Sequence, residues 1–186
     1  MKIKKYIHLT FKTSSEITDL YRSLQVDYLK FFKMDGLSKL GFLASEMIFK
    51  EEENRFIPRE DIAIICFNSA SSLDIDVKYE ETICNKDNYF PSPSLFVYTL
   101  PNIVTGEIAI RNKFFGETFY YNCKLFDAKQ IVRVITNTFQ DKNTNTILAT
   151  WIEYFEEKKE VFMMLIENEK GDIEFNEEQV SKLYNK

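Results

Sequence analysis

The segment at residues 61–67, DIAIICF, is apolar at six of its seven positions, and three of these are isoleucine. A short apolar run rich in β-branched residues is typical of a strand that is covered on both faces in a parallel sheet. The next five residues, NSASS, are small and polar, as is common where a strand leads into the first turn of a helix. This strand-to-helix unit predicts an α/β protein.

Strand and helix patterns alternate along the rest of the chain. Further strands are predicted at residues 2–10, 118–122, 146–152 and 161–167. Helices are predicted after Thr13 and at residues 35–50, 73–83, 102–111, 128–139 and 177–184. The last two strands flank the charged turn 156–160 and form a hairpin. We therefore predict a single domain over residues 1–186, with a mixed, mostly parallel five-stranded sheet between helix layers.

Charge and hydropathy exclude several classes of function. The chain has 29 Asp and Glu against 24 Lys and Arg, which gives a net charge of −5 with its one histidine neutral. Binding to nucleic acid or to anionic lipid needs clustered Lys and Arg, so we expect neither. No apolar run reaches the roughly 20 residues of a membrane span. The basic start has no apolar signal region behind it, and we expect a cytoplasmic protein.

The cysteines and the lone histidine give no metal or cofactor site. Cys66, Cys84 and Cys123 are widely spaced, and His8 is the only imidazole in the chain. Zinc sites normally combine several Cys and His ligands, so we predict no metal and no cofactor. Cys66 and Cys84 are expected to be reduced, buried thiols.

One long segment resembles a known family. SPSLFVYTLPNIVTGEIAIR at residues 92–111 is similar to the N-terminal half of β-ketoacyl synthases, in particular the small bacterial 3-oxoacyl-acyl-carrier-protein synthase-like branch. MDGLSK at 34–39, SSLDID at 71–76 and ATWIE at 149–153 fit the same template in order, so the resemblance covers about residues 30–167. It implies a thiolase-like half, whereas complete family members join two such halves.

The resemblance also implies which residues catalysis would need. A condensing enzyme of this family carries the acyl group on a cysteine at a helix N-terminus, assisted by two histidines from the second half. Cys123 is the candidate nucleophile, and Lys124 beside it could favour a thiolate. However, the bulky residues of YNCKLF replace the family's small ones, and the interval from Gly116 is shorter by about two residues. His8 lies on the first strand, where a packing or solvated role is favoured.

Four aromatic residues are candidates for a subunit interface. In thiolase-type dimers the third strand pairs with its counterpart across a two-fold axis, which would bring Phe119 and Tyr121, together with Phe96 and Tyr98, to the interface. The alternative is that these side chains have only a structural role in the hydrophobic core. Glu107 could be a functional acid, but an ion pair with Arg111 one turn later is favoured.

Two hypotheses follow for function. The first is a non-catalytic, half-length synthase-like subunit in a fatty-acid-like or polyene biosynthetic pathway, which forms a homodimer or a heterodimer with a full-length condensing enzyme. The second is an acyltransferase that uses Cys123 with histidines supplied by another subunit. Acyl carrier protein is a candidate partner, because a local basic patch partly offsets the acidic balance. The patch comprises Lys2, Lys4, Lys5, Lys12, Arg22 and Lys30. Ligand binding by an isolated α/β half is a third, generic reading.

Overall fold

The computed structural model describes residues 1–52 and 54–186 and contains a six-stranded sheet. The strands are β1 (Lys2–Thr10), β2 (Ile62–Asn68), β3 (Thr118–Asn122), β4 (Thr146–Phe155), β5 (Lys158–Glu167) and β6 (Ile173–Glu174). The helices are α1 (Ser14–Ser23), α2 (Gly36–Ile48), α3 (Leu73–Glu80), α4 (Pro93–Tyr98), α5 (Ile103–Asn112), α6 (Ala128–Thr138) and α7 (Glu177–Tyr184).

The sheet order is β3-β2-β4-β5-β1-β6. β2 pairs in parallel with both β3 and β4, and β5 pairs antiparallel with β4 and with β1. β1 to β4 therefore run in one direction and β5 runs against them. The predicted α/β class is confirmed, with two differences. Three of the five pairings are antiparallel because the β4–β5 hairpin places β5 inside the sheet, and the two-residue strand β6 adds a sixth member at Lys2 and Ile3.

Helices cover both faces of the sheet. β2 is buried at every position, and its alternate side chains enter two separate cores. Ile62, Ile64 and Cys66 pack towards α2 and α5, whereas Ile65 and Phe67 pack towards α6 and α7. This arrangement is the reason for the continuous apolar run, since neither face of β2 contacts water. Each buried aliphatic side chain contributes about 1.5–3 kcal/mol to stability.

The predicted helix starts are confirmed at two helices whose first turn is capped by a side chain. Thr13 and Glu16 form a reciprocal capping box at α1, and Asp127 accepts a hydrogen bond from the Gln130 N–H at α6. The helix α4 is absent from the helices predicted above, because Pro91 and Pro93, two residues apart, favour an irregular loop over a regular element. Pro93 instead occupies the first turn of α4, where a missing N–H costs nothing.

The cysteines differ from expectation at one position. Cys66 is buried as predicted, but Cys84 is exposed and Cys123 is intermediate. Cys84 lies beyond the end of α3, in a surface segment that the sheet does not cover. The residue type alone did not indicate this, because burial at Cys84 depends on where the connection from β2 to β3 leaves the sheet.

His8 attaches the C-terminal helix to the sheet, in agreement with a packing role. His8 Nε2 lies 2.7 Å from Glu160 Oε1, and its ring stacks on Tyr184 with a centroid distance of 5.0 Å. Tyr184 in turn stacks on Phe126 at 3.6 Å and donates its hydroxyl hydrogen to Glu160 Oε2. Burial and the charge of Glu160 raise the pKa of Tyr184. The stack thus connects β1, α7 and the segment between β3 and α6.

Tyr184→Ala is expected to lower the free energy of unfolding by about 2–3 kcal/mol, because it removes both ring contacts of this stack. Tyr184→Phe keeps the rings and loses only the hydroxyl, so we expect a cost of about 1 kcal/mol. Urea denaturation followed by circular dichroism measures both variants. Equal effects of the two substitutions would contradict a role for the stacked rings.

Candidate functional site

The carboxyl ends of β2, β3 and β4 meet at one edge of the sheet. The connection from β2 to β3 passes over the α2–α5 face, and the connection from β3 to β4 passes over the α6–α7 face. A crevice between strands whose connections leave on opposite faces is where α/β sheets commonly bind ligands. Asn68, Cys123 and Glu153 lie there.

Hydrogen bonds within the protein fill this crevice. The Cys123 N–H donates to the Asn68 carbonyl oxygen at 2.7 Å, and the Asn68 side-chain amide donates to the Ile152 carbonyl oxygen at 2.7 Å. The Glu153 carboxylate is 1% exposed and accepts hydrogen bonds from the N–H groups of Ser69 at 2.7 Å and Ala70 at 3.3 Å. These polar groups are satisfied by each other, which leaves them unavailable to a substrate.

Cys123 lies in the connection between β3 and α6, as predicted, but its surroundings disfavour a thiolate. Burial and the nearby charge of Asp127 raise its pKa, although the Gln130 side chain acts in the opposite direction. The first turn of α6 is capped by the carboxylate of Asp127 rather than presented to the sulfur. The interval from Gly116 that the resemblance implies would place the nucleophile two residues after Cys123. The residue at that position is Leu125, which is 60% exposed.

His8 and Cys123 are not hydrogen-bonded to each other. The imidazole pairs with Glu160, and the rings of Tyr184 and Phe126 stack in sequence beyond it. The thiol contacts the Tyr121 carbonyl oxygen at 3.8 Å. Cys123, the nucleophile predicted from the sequence, therefore has no imidazole of its own chain within hydrogen-bonding distance.

The Cys123 thiol is expected to react with iodoacetamide at about pH 8 at least ~5-fold more slowly than glutathione, because its raised pKa lowers the thiolate fraction. A Cys84→Ser background removes the exposed thiol from the measurement. Intact mass recorded over time gives the rate. A rate equal to that of glutathione or faster would indicate an activated thiol.

A second feature of this end of the molecule is the open edge of β3. The strand pairs only with β2 among the described residues. The Glu117 carbonyl oxygen accepts from the Ile64 N–H at 2.9 Å, and the Cys123 N–H donates to Asn68, so odd-numbered positions face β2. Backbone groups alternate along a strand, and those of Thr118, Tyr120 and Asn122 therefore point away from the sheet.

Exposed apolar side chains lie on β3 and within three residues of its two ends. Phe115 is 67% exposed, Phe119 39% and Leu125 60%. Tyr121 is half-buried and stacks on Phe67 with a centroid distance of 5.3 Å. An unpaired edge flanked by exposed aromatic residues is unusual in a free monomer, because proteins normally protect such edges.

The two other interface candidates lie on α4 and differ in exposure. Phe96 is 54% exposed, whereas Tyr98 is 9% exposed and its hydroxyl donates to Glu107 Oε1 at 3.1 Å. Lys30 Nζ binds Glu107 Oε2 at 2.7 Å. Burial and the Glu107 charge raise the pKa of Tyr98. Tyr98 is thus an internal anchor of α4, and Phe96 faces outward.

The predicted pair of Glu107 with Arg111 does not form. Glu107 is 4% exposed and faces Tyr98 and Lys30, while Arg111 Nε donates to Glu46 Oε1 at 2.7 Å. Helical spacing indicated that the two could meet, but it did not reveal that each has a buried partner on another element. Sequence reasoning missed Glu46 altogether, because an isolated glutamate on an apolar helix carries no distinctive signal.

The local basic patch is largely neutralised. Lys2, Lys4, Lys5, Arg22 and Lys30 each form a salt bridge with a carboxylate. These pairings weaken the argument that this patch attracts an acidic partner. A cavity of about 400 Å³ at the amino ends of β2 and β4 is similarly balanced, since its Lys4 pairs with Glu167 and its Arg59 with Asp61.

Comparison of the structure with solved structures identifies the fold. A ketosynthase in complex with its chain length factor from Xenorhabdus doucetiae superposes with a TM-score of 0.65 at 11% identity, over 91% of this chain and 79% of that chain. The chain has a ketosynthase-like fold. The ishigamide ketosynthase/chain length factor gives a TM-score of 0.67 at 12% identity, over 88% of this chain and 55% of that one.

A third ketosynthase structure agrees. It is a complex of a type II polyketide synthase acyl-carrier protein with its ketosynthase, at a TM-score of 0.60 and 12% identity, over 90% of this chain and 62% of that one. No family model and no curated protein matches the sequence. These likenesses confirm the predicted thiolase-like architecture. None of the helices in the described part of the chain is long and apolar enough to cross a membrane.

Proposed function

We propose that this chain is a non-catalytic, half-length ketosynthase-like subunit that pairs with a full-length ketosynthase in a cytoplasmic fatty-acid-like or polyene pathway. The observation that carries the proposal is the open edge of β3, with outward backbone groups at Thr118, Tyr120 and Asn122 and exposed aromatic flanks. A partner strand added there would satisfy the backbone and cover the apolar residues.

The closed crevice supports a non-catalytic role. The pKa of the Cys123 thiol is raised, and the only imidazole of the chain pairs with Glu160. The neighbouring Glu153 and Asn68 side chains form hydrogen bonds within the protein. General base catalysis needs a base within reach of the nucleophile's proton. Among the described residues no imidazole contacts the thiol, so the acyltransferase alternative requires both histidines from another subunit.

The outer face of α6 supports a single domain over residues 1–186. Its buried side chains, Ile131 and Ile135, face the sheet, while Lys129, Arg133 and Asn137 are exposed. A second half-domain packed on this helix would have to supply counter-ions for Lys129 and Arg133, because burial of a lone cation is costly. We infer that this face is solvated and that the chain functions as one half.

The neighbours also support the proposed partner. Two of the three solved structures are described as ketosynthases together with a chain length factor, and the third as a ketosynthase with an acyl-carrier protein. In the Xenorhabdus doucetiae complex, this chain spans 79% of the matched chain, so a subunit only slightly longer than this one occurs there. We propose the ketosynthase as the main partner, with self-pairing of β3 and contact with acyl carrier protein as secondary interactions.

Co-expression with a tagged, full-length ketosynthase from the source organism tests the proposal. We expect a 1:1 complex by native mass spectrometry, and no acyl adduct on this chain after incubation with an acyl-carrier thioester. An adduct that disappears in Cys123→Ser would favour the acyltransferase. A chain that stays monomeric beside the ketosynthase would overturn the proposed function.

A further inference from the structure

The connection between β2 and α5 leaves an extensive apolar surface uncovered. Residues 73–100 contain α3, a loop and α4, and the two helices pack together through Tyr79 and Phe96, with ring centroids 5.5 Å apart. The loop is fixed to α3 by the Phe90 N–H, which donates to the Thr82 carbonyl oxygen at 2.9 Å. The segment is therefore one surface, which we term the α3–α4 surface.

Few of its apolar side chains are used inside the protein. Ile75 and Tyr98 are its buried anchors. The exposed ones are Leu73 at 42%, Val77 at 48%, Tyr89 at 59%, Phe90 at 75%, Phe96 at 54%, Val97 at 47% and Leu100 at 52%. So many exposed apolar side chains on one segment indicate an interaction site.

The α3–α4 surface carries a net negative charge. Residues 73–100 contain five carboxylates and only two lysines, which accounts for a net −3 of the total −5. Lys78 is already paired with Asp74 at 2.6 Å. Glu80, Glu81 and Asp87 are exposed around the apolar residues. The surface is therefore an apolar patch with an acidic rim.

The α3–α4 surface lies near the carboxyl ends of β2 and β4, and α3 packs against β4. Ser72, which precedes α3, donates its hydroxyl hydrogen to the Thr99 carbonyl oxygen at 2.9 Å, so the end of α4 lies at the carboxyl end of β2. The Cys123 N–H at the end of β3 bonds to Asn68 in the same place. A partner that contacts the carboxyl end of the sheet can thus reach both the end of β3 and the start of α3.

We infer that the α3–α4 surface binds a face of the ketosynthase partner whose apolar centre is rimmed by Lys and Arg. The inference rests on the proposed function and specifies the chemistry of the partner. A second copy of this chain would bring acidic rim against acidic rim, and an anionic membrane would repel it. Charge complementarity therefore selects a heterologous partner over self-association.

Binding of surface variants to an immobilised ketosynthase tests this inference. Phe90→Ser is expected to weaken the affinity at least ~10-fold, because exposed aromatic residues at the centre of an interface carry much of the binding energy. The double variant Glu80→Lys, Glu81→Lys is expected to weaken it ~10-fold or more at low salt. Leu29→Ser, at 76% exposure on the 3₁₀ helix Leu29–Lys33, is the matched control and should bind like the wild type.

Salt dependence gives a second readout. We expect the wild-type affinity to fall at least ~5-fold between about 50 and 500 mM NaCl, and the charge-reversed variant to lose most of this dependence. If the wild type binds but Phe90→Ser and the charge reversal leave the affinity unchanged, the inference is wrong and the proposed function stands. If the folded wild type does not bind, both fail.

Discussion

Glu46→Ala is expected to lower the free energy of unfolding by about 3–5 kcal/mol, since it leaves two partly buried guanidinium groups without their buried counter-ion. Glu46 is 4% exposed on α2. Its carboxylate accepts hydrogen bonds from Arg55 and from Arg111, the latter at 2.7 Å. Burial and the neighbouring Arg111 charge lower the pKa of Arg55, while the hydrogen bond and the charge of Glu46 act in the opposite direction.

The two arginines cannot easily turn away to water. The Arg111 guanidinium lies over the rings of Tyr28 and Phe56, with distances of 4.9 and 4.8 Å to their centroids. Arg55 Nε donates to the Asn112 side chain at 3.0 Å. Removal of Glu46 therefore leaves both guanidinium groups without a carboxylate partner, because these contacts keep them from turning towards water.

Urea denaturation of Glu46→Ala and Glu46→Gln measures this effect. Glutamine keeps the volume and one acceptor oxygen, so we expect a smaller but clear loss of about 2–3 kcal/mol. Glu178→Ala, at an exposed position of α7, is the control and should cost less than about 0.5 kcal/mol. A loss below about 1 kcal/mol in Glu46→Ala would show that the arginines find other partners.

Thr118→Pro is expected to weaken association with the ketosynthase at least ~100-fold while the chain stays folded. Thr118 is exposed on β3, and its N–H points away from β2. Proline is tolerated on an edge strand at such a position, yet it removes a donor that an added strand would need and places its ring in the way. Thermal unfolding should show only a modest change in Tm.

Thr118→Ala is the matched control, because it shortens the side chain and retains the N–H. Its affinity should stay within about threefold of the wild type. Asn122→Pro blocks the other end of the strand and should reproduce the effect of Thr118→Pro. Full binding by both folded proline variants would mean that the partner uses a surface other than the β3 edge.

The fold could be predicted from the sequence wherever a local sequence pattern is compatible with only one type of secondary structure. The all-apolar strand β2 and the caps at Thr13 and Asp127 each determine their local structure. The helix α4 was missed because Pro93 is compatible both with a loop and with a helix start. The β4–β5 hairpin was predicted, but not that β5 would pair with β1, since long-range pairing has no local signature.

The candidate site was less predictable, for a physical reason. Cys123 was placed correctly between β3 and α6, but its raised pKa depends on burial and on Asp127, which spacing alone does not define. Tyr98 and Phe96 are two positions apart in sequence and differ in exposure from 9% to 54% because α4 turns one inward and the other outward. The partners of Glu46 and Glu107 lie on other elements, and no pattern along the chain connects them.

Hydrogen exchange on the complex with the ketosynthase tests the central claim most directly. In the free chain, the amides of Thr118, Tyr120 and Asn122 point outward and should exchange quickly, whereas those of Phe119 and Tyr121 are protected by β2. On binding, we predict that the three outward amides slow at least ~100-fold as a partner strand pairs with β3. A stable complex in which these three amides exchange at their free rates would contradict the account.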